Sequence, residues 1–232
     1  MTGAPSVTTL CDLMDWPILN GLPDDLKRRV LASGRLRRFG RGEVVFHEGD
    51  PADTLHLIAK GRIAVRVSTA LGDAATLRVL GRGDFFGELA LVAIHTRSAT
   101  VVALEGSETL AISREDFDRL RADHPSVQAF LVQVLAEQVR RLSRQVMESL
   151  YVPADDRVLR RLAELVPIYA PADGEAVEIP LTQEDLASMA GTSRATVNRV
   201  LREAERAGMI KLGRGRMTVL DAAALAAKCG AV

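Results

Sequence analysis

Residues 182–210 read TQEDLASMAGTSRATVNRVLREAERAGMI, and the fold of the whole chain turns on how they are read. Thr182 followed by Asp185 is a capping pair ahead of a helix of about eight residues. Gly191 supplies a turn. Ser193 can cap a second helix, in which Val197, Leu201 and Ala204 recur as a buried stripe, and Gly208 ends it. Two helices joined by a tight glycine turn form a helix-turn-helix. The next stretch, IKLGRGRMTVLD, places two β-like runs around Gly213-Arg214-Gly215, which predicts a hairpin and hence a wing.

A plain pair of packed helices would explain the hydrophobic pattern equally well. Charge separates the two. Between 194 and 216 stand Arg194, Arg199, Arg202, Arg206, Lys211, Arg214 and Arg216 against Glu203 and Glu205, a local surplus of five in a chain whose net charge is zero. Such a patch is the footprint of a phosphate backbone. Residues near the start of the second helix reach base edges in the major groove. Arg194 stands there and Arg199 follows, and arginine pairs bidentately with guanine. Ser193, Thr196 and the wing residue Arg214 suit phosphates, which set register rather than sequence. Thr182 and Gln183 complete the expected DNA-facing set, and double-stranded DNA is the expected partner.

Upstream, Pro125 opens a helical pattern that runs to about Leu150. Within it Val132, Leu135, Val139, Leu142 and Val146 are spaced alternately by three and four residues. Valine at the a positions with leucine at d favours a parallel two-stranded coiled coil, so a homodimer is expected. YVPADDR breaks this helix, Asp155 or Asp156 can cap a further helix over 157–166, and PIYAPADGEAVEIP reads as a connector.

Further upstream still the period changes. GEVVFHEGD, TLHLIAKGRIAVRVS, ATLRVLGRGDFFGE and SATVVALEGSETLAIS are short apolar or alternating runs punctuated by glycine, the pattern of a small barrel or jelly roll. In RIAVRV, Ile63, Val65 and Val67 are expected inward and the arginines outward. A short helix is expected over 22–33 and another over REDFDRLRADH. The expected domains are 1–124, a β-roll; 125–151, the long helix; and 152–232, the winged helix-turn-helix.

Composition excludes several classes. No apolar run approaches the roughly 18 residues that would span a bilayer. The start, MTGAPSVTTLCDLMDW, has no signal-peptide pattern, so the cytoplasm is the expected location and no membrane contact is expected. Cys11 and Cys229 stand near opposite ends and His47, His56, His95 and His124 are scattered, so no metal site and no covalent cofactor are expected. No nucleophile–base pair suggests an enzyme.

Residues 85–103, FFGELALVAIHTRSATVVA, hold one acid, Glu88, and one base, Arg97, in an otherwise apolar segment. Together with the long helix and TSRATVNRVL, this segment resembles the cyclic-AMP receptor/FNR (CRP/FNR) family of bacterial transcription regulators, over about residues 17–220. The resemblance implies an α+β fold: an N-terminal β-roll of the cyclic-nucleotide-binding type, a long dimerisation helix, and a C-terminal winged helix-turn-helix. It further implies a cyclic-nucleotide effector, cyclic AMP ahead of cyclic GMP, gating a homodimer that reads a palindromic operator, with RNA polymerase as a partner. Carried over residue by residue, Arg97 and Ser98 would hold the phosphate, Glu88 the ribose hydroxyl, and Gly87, Leu89 and Ala90 the close backbone. The positions that face the base in the family are Leu142 and Ser143 here, and leucine cannot donate to a base. Ser193-Arg194-Ala195-Thr196 departs from the family's Ser-Arg-Glu-Thr, so Ala195 would touch a thymine methyl or leave its position unread. Two alternatives stand beside ligand gating: a constitutive DNA binder with a purely structural roll, and a nucleotide-sensing module acting on an enzyme or channel.

Overall fold

The computed structural model describes residues 16–68, 74–92, 96–170 and 176–229; Cys11 and His95 lie outside them. The chain forms two compact units, one of residues up to Val67 with Leu80–Arg140, the other of Ser68–Val79 with everything from Arg141 onward.

Along the chain, a 3₁₀ turn over Pro17–Leu19 and helix α1 (Asp24–Ser33) lead into the strands β1 (Arg35–Phe39), β2 (Val44–Phe46), β3 (Thr54–Lys60), β4 (Ile63–Ser68), β5 (Ala74–Leu80), β6 (Phe85–Phe86), β7 (Thr100–Ala103) and β8 (Ser107–Ser113). They form two four-stranded sheets, ordered β1-β8-β3-β6 and β2-β7-β4-β5. The first is antiparallel, with Arg35 opposite Ala111 and Leu57 opposite Leu110. Helix α2 (Arg114–Asp123) follows, capped by Ser113, and then α3 (Pro125–Tyr151).

Strand β3, TLHLIAK, is buried without a break from Leu55 to Ala59 because both of its faces are covered. Leu55, Leu57 and Ala59 pack under α1, α2 and the start of α3, with Trp16, Phe117 and Phe130. Ile58 points the other way, into a core with Phe39, Ile63, Phe86 and Val101. His56 shares that inward face by the two-residue period. On β4 the expected alternation is damped. Ile63 is buried and Val65 and Val67 are half-buried, but Ala64 is buried as well.

In the second unit, helix α4 (Ala154–Tyr169) starts earlier and ends later than its sequence signals suggested. Pro153 takes the N-cap position and no side chain caps the helix; Asp155 and Asp156 lie in its first turn instead. There they still favour the positive helix end. Pro167 lies inside the last turn, where it has no N–H to give to the carbonyl one turn back and so removes one bond of the ladder. Burial of Val158, Leu162, Leu165 and Tyr169 along one stripe holds that turn down.

After β9 (Val177–Ile179) come α5 (Gln183–Ala190), α6 (Arg194–Arg206), the hairpin β10 (Ile210–Gly213) and β11 (Arg216–Val219), and α7 (Ala222–Lys228). The hairpin joins β9 in a sheet ordered β10-β11-β9. This is a winged helix-turn-helix. The α3–α4 break is braced by one side chain. Arg157 donates to Val152 O at 2.8 Å, Ala190 O at 2.9 Å and Gly191 O at 3.0 Å, linking the end of the long helix to the turn between α5 and α6.

Candidate functional site

In the first unit the chain leaves β6 through Gly87 in the left-handed region, φ +80°, and enters a 3₁₀ turn over Glu88–Leu91. Gly87 is required twice over. A side chain would be strained at that φ, and a Cβ there would stand 2.7 Å from Thr54 O and 2.8 Å from Arg97 Nη1. The turn buries the Glu88 side chain, whose Oε1 accepts from Gln138 Nε2 on α3 at 2.6 Å.

Arg97 is 6% exposed. Its backbone N–H donates to Asp50 O and its carbonyl accepts from Gly49 N–H, which fix the side chain's point of departure. Nη1 donates to Thr54 O at 2.8 Å, and Nη2 donates to Thr54 Oγ1 at 2.7 Å and pairs with Asp53 at 3.3 Å. The guanidinium lies 3.9 Å over the Phe46 ring. Burial pulls its pKa below the usual guanidinium value, and Asp53 and Asp50 oppose that shift. Its Nε is buried with no partner. Glu88 and Arg97 therefore do not neutralise each other. Each has separate protein partners, and Arg97 keeps an unused donor.

Behind Arg97 stands His56, 5% exposed and stacked on Phe86 with ring centroids 4.8 Å apart. Its ring nitrogens meet Thr54 Oγ1 at 3.2 Å and Thr109 Oγ1 at 3.0 Å. Burial first, then the charges of Arg97 and Arg37, lowers its pKa to about 3. The native state thus holds His56 neutral while the unfolded chain protonates it below about 6.5. Stability is expected to fall as the pH drops below about 6.5, by up to about 1.4 kcal/mol per unit from this residue. Urea unfolding of the wild type and of His56→Gln between pH 7 and 5 checks this: the variant's profile should be flatter by that slope.

Ser98 is exposed beside Arg97, Leu89 is half-buried in the turn, and Ala90 is part of it. Leu142 and Ser143 stand exposed on α3, in the second unit.

That unit carries the second candidate site. Thr182 and Asp185 form a reciprocal capping box at the start of α5, and Gly191 turns the chain at φ +59°. Ser193 Oγ caps α6 by accepting from Thr196 N at 3.1 Å. Val197, Val200, Leu201 and Ala204 bury one side of α6, leaving Arg194, Ala195, Asn198 and Arg199 exposed. Thr182, Gln183, Arg194, Asn198, Arg214 and Arg216 line one open concavity of about 570 Å³ between α5, α6 and the wing. Among the described residues Arg194, Lys211 and Arg214 have no ion-pair partner, so their charge is available. Arg199 is engaged differently: Nη2 pairs with Asp155 at 2.5 Å and Nη1 with Glu203 at 3.3 Å, and both acids raise its pKa.

Of the residues expected at the two sites, the structure sets Gly87 against Arg97 and gathers Thr182, Gln183, Arg194 and Arg214 around one concavity. Sequence reasoning missed the contacts of Gln138 with Glu88, of Asn198 with Gln183 and of Asp155 with Arg199, and the burial of His56. Asn198 alone left a local signal, as a polar residue four positions after Arg194. Among the described residues no helix is long and apolar enough to cross a membrane, and no cluster of His, Cys, Asp and Glu could hold a metal ion.

Two stretches of the chain match known families. Residues 36–124 match the cyclic nucleotide-binding domain family and residues 156–228 match the Crp-like helix-turn-helix domain. The cyclic AMP receptor protein of Thermus thermophilus is 32% identical over 209 residues, 90% of this chain and 94% of that protein. A CRP-like cAMP-activated global transcriptional regulator of Mycobacterium tuberculosis is 29% identical, over 81% of this chain and 85% of its own length. The crystal structure of the Thermus thermophilus catabolite activator protein superposes with a TM-score of 0.53, covering 92% of this chain and 98% of that one. A nucleotide-binding roll, a long helix and a winged helix-turn-helix in this order, with that level of identity along nine-tenths of the sequence, place the chain in the CRP/FNR family of DNA-binding transcription regulators, which are not enzymes.

Proposed function

We propose that this regulator is a homodimer gated by cyclic AMP, and that it reads a palindromic operator in the cytoplasm with RNA polymerase as a partner. The observation that carries the ligand is the buried guanidinium of Arg97, whose Nε has no partner beside a backbone that only Gly87 permits. A buried cation with an unused donor suits a phosphate, which accepts several charge-assisted hydrogen bonds. Ser98 would add a hydroxyl from the exposed side.

Glu88 supplies the coupling. Its carboxylate can accept from a ribose hydroxyl, and the same carboxylate now accepts from Gln138 on α3. A nucleotide in the roll therefore competes for, or extends, a bond made to the long helix. It shifts the regulator only by as much as it binds one state better than the other. Leu142 and Ser143 are the residues proposed to meet the base. Two α6 helices, about 34 Å apart in a dimer, would enter successive major grooves. Arg194 would read a base there. Ser193, Thr196, Thr182, Gln183 and Arg214 would hold phosphates, and Ala195 would touch a thymine methyl or nothing. Arg199 would join them on release from Asp155.

One observation favours a roll without ligand: Thr54 and Asp53 already occupy both terminal nitrogens of Arg97. Calorimetry with cyclic AMP and cyclic GMP separates the two readings. Heat at one nucleotide per chain, with tighter operator binding, supports gating; no heat from either nucleotide and unchanged operator affinity sinks it. For the DNA half, Arg194→Ala is expected to weaken operator binding by about 1–3 kcal/mol and relax the preference at one base position. Gel shifts on the operator and on point-substituted sites measure both.

A further inference from the structure

Ala195 brings no hydrogen-bonding group to the start of α6, yet a polar side chain stands one helical turn after Arg194. Asn198 is exposed and lines the same basic concavity as Arg194, Gln183 and Arg214. Its Nδ2 donates to Gln183 Oε1 at 3.1 Å, from the start of α5. Asparagine is a poor helix former in the interior of a helix, and a tie between two solvent-exposed amides repays little of that.

The bond to Gln183 does something else: it orients an amide. With one Nδ2–H committed, Asn198 presents a second N–H and the carbonyl Oδ1 side by side. In the major groove adenine offers an acceptor, N7, beside a donor, N6–H₂, whereas guanine offers two acceptors. The exposed edge of Asn198 matches adenine and sets an acceptor against guanine O6. Four residues of helix advance about 6 Å, close to two base steps of about 3.4 Å.

Resting on the DNA recognition proposed above, we infer that Asn198, oriented by Gln183, selects an adenine about two base pairs from the base read by Arg194. Asn198 is the specificity determinant. Gln183 is a positioning residue for it, besides any phosphate contact of its own.

The test is selection from randomised half-sites with the full-length protein, with and without saturating cyclic AMP, using wild type, Arg194→Ala, Asn198→Ala and Gln183→Ala. The position that Arg194→Ala relaxes marks the reference base. Wild type is expected to prefer adenine about two steps away by roughly tenfold or more. Asn198→Ala should bring that preference below about twofold while binding to non-specific DNA is kept, and Gln183→Ala should reduce it by an intermediate factor. An Asn198→Ala protein that keeps the wild-type preference, or that loses affinity equally at every sequence through weakened α5–α6 packing, overturns the assignment. So does a wild-type preference for another base at that position. Absence of any sequence preference in the wild type is a different result: it removes DNA recognition by α6 altogether.

Discussion

Replacing Arg97 by glutamine is expected to weaken cyclic AMP binding by about 30-fold or more, from the loss of a desolvated charge pair worth roughly 2–5 kcal/mol. The Arg97 side chain is 4% exposed, so its attraction for a phosphate would be little screened by water. Glutamine keeps a donor but loses the charge and the fork. Arg97→Lys is the sharper control, because it keeps the charge and loses the planar geometry; an intermediate loss is expected from it. Titration calorimetry reads both affinities. Urea unfolding of the same variants guards against a trivial cause, since Thr54 and Asp53 also lose a partner. Wild-type affinity in a folded Arg97→Gln protein would remove Arg97 from the mechanism.

The second large effect is expected on the long helix. Val132, Val139, Leu142 and Val146 are 57%, 62%, 52% and 56% exposed in the single chain, an apolar stripe at heptad spacing that α3 does not cover itself. The double substitution Val139→Glu, Val146→Glu would set four carboxylates along the seam of a dimer. The exposure of both residues means that the protomer should fold unchanged. Sedimentation should then show half the wild-type mass. Operator affinity should fall by about 10²–10⁴, because a second half-site bound through a linked subunit is bound at high effective concentration. A variant that stays dimeric would place the interface elsewhere.

Local signals were the legible ones. The Thr182 and Ser193 caps, the Gly191 turn and the Gly213–Gly215 hairpin are each written within a few residues, and each forms as its residues dictate. The glycine-punctuated strands gave the roll. Contacts across the sequence were not legible. Glu88 meets Gln138, fifty positions away, and Arg199 meets Asp155, forty-four away. Periodicity carries nothing about which surface residue faces which. His56 was hidden for a related reason. A lone histidine in TLHLIAK gives no sign that one face of the strand meets helices and the other meets Phe86, Thr109 and Arg97. The α4 boundaries missed because Asp155 or Asp156 was read as the cap and the Pro167 segment as a connector, whereas Pro153 takes the N-cap position and a buried stripe carries the helix past Pro167.

The brace at Arg157 bears on what kind of machine this elbow is. A flexible tether between two helices transmits displacement and loses rotation. Three carbonyls, one at the end of the long helix and two at the recognition turn, converge on one rigid, planar cation. A twist at the end of the helix is then carried to the turn with its sense preserved, as a crank carries it and a string does not. An ammonium group, a single point without a plane, could satisfy the charge here but could not hold that angle.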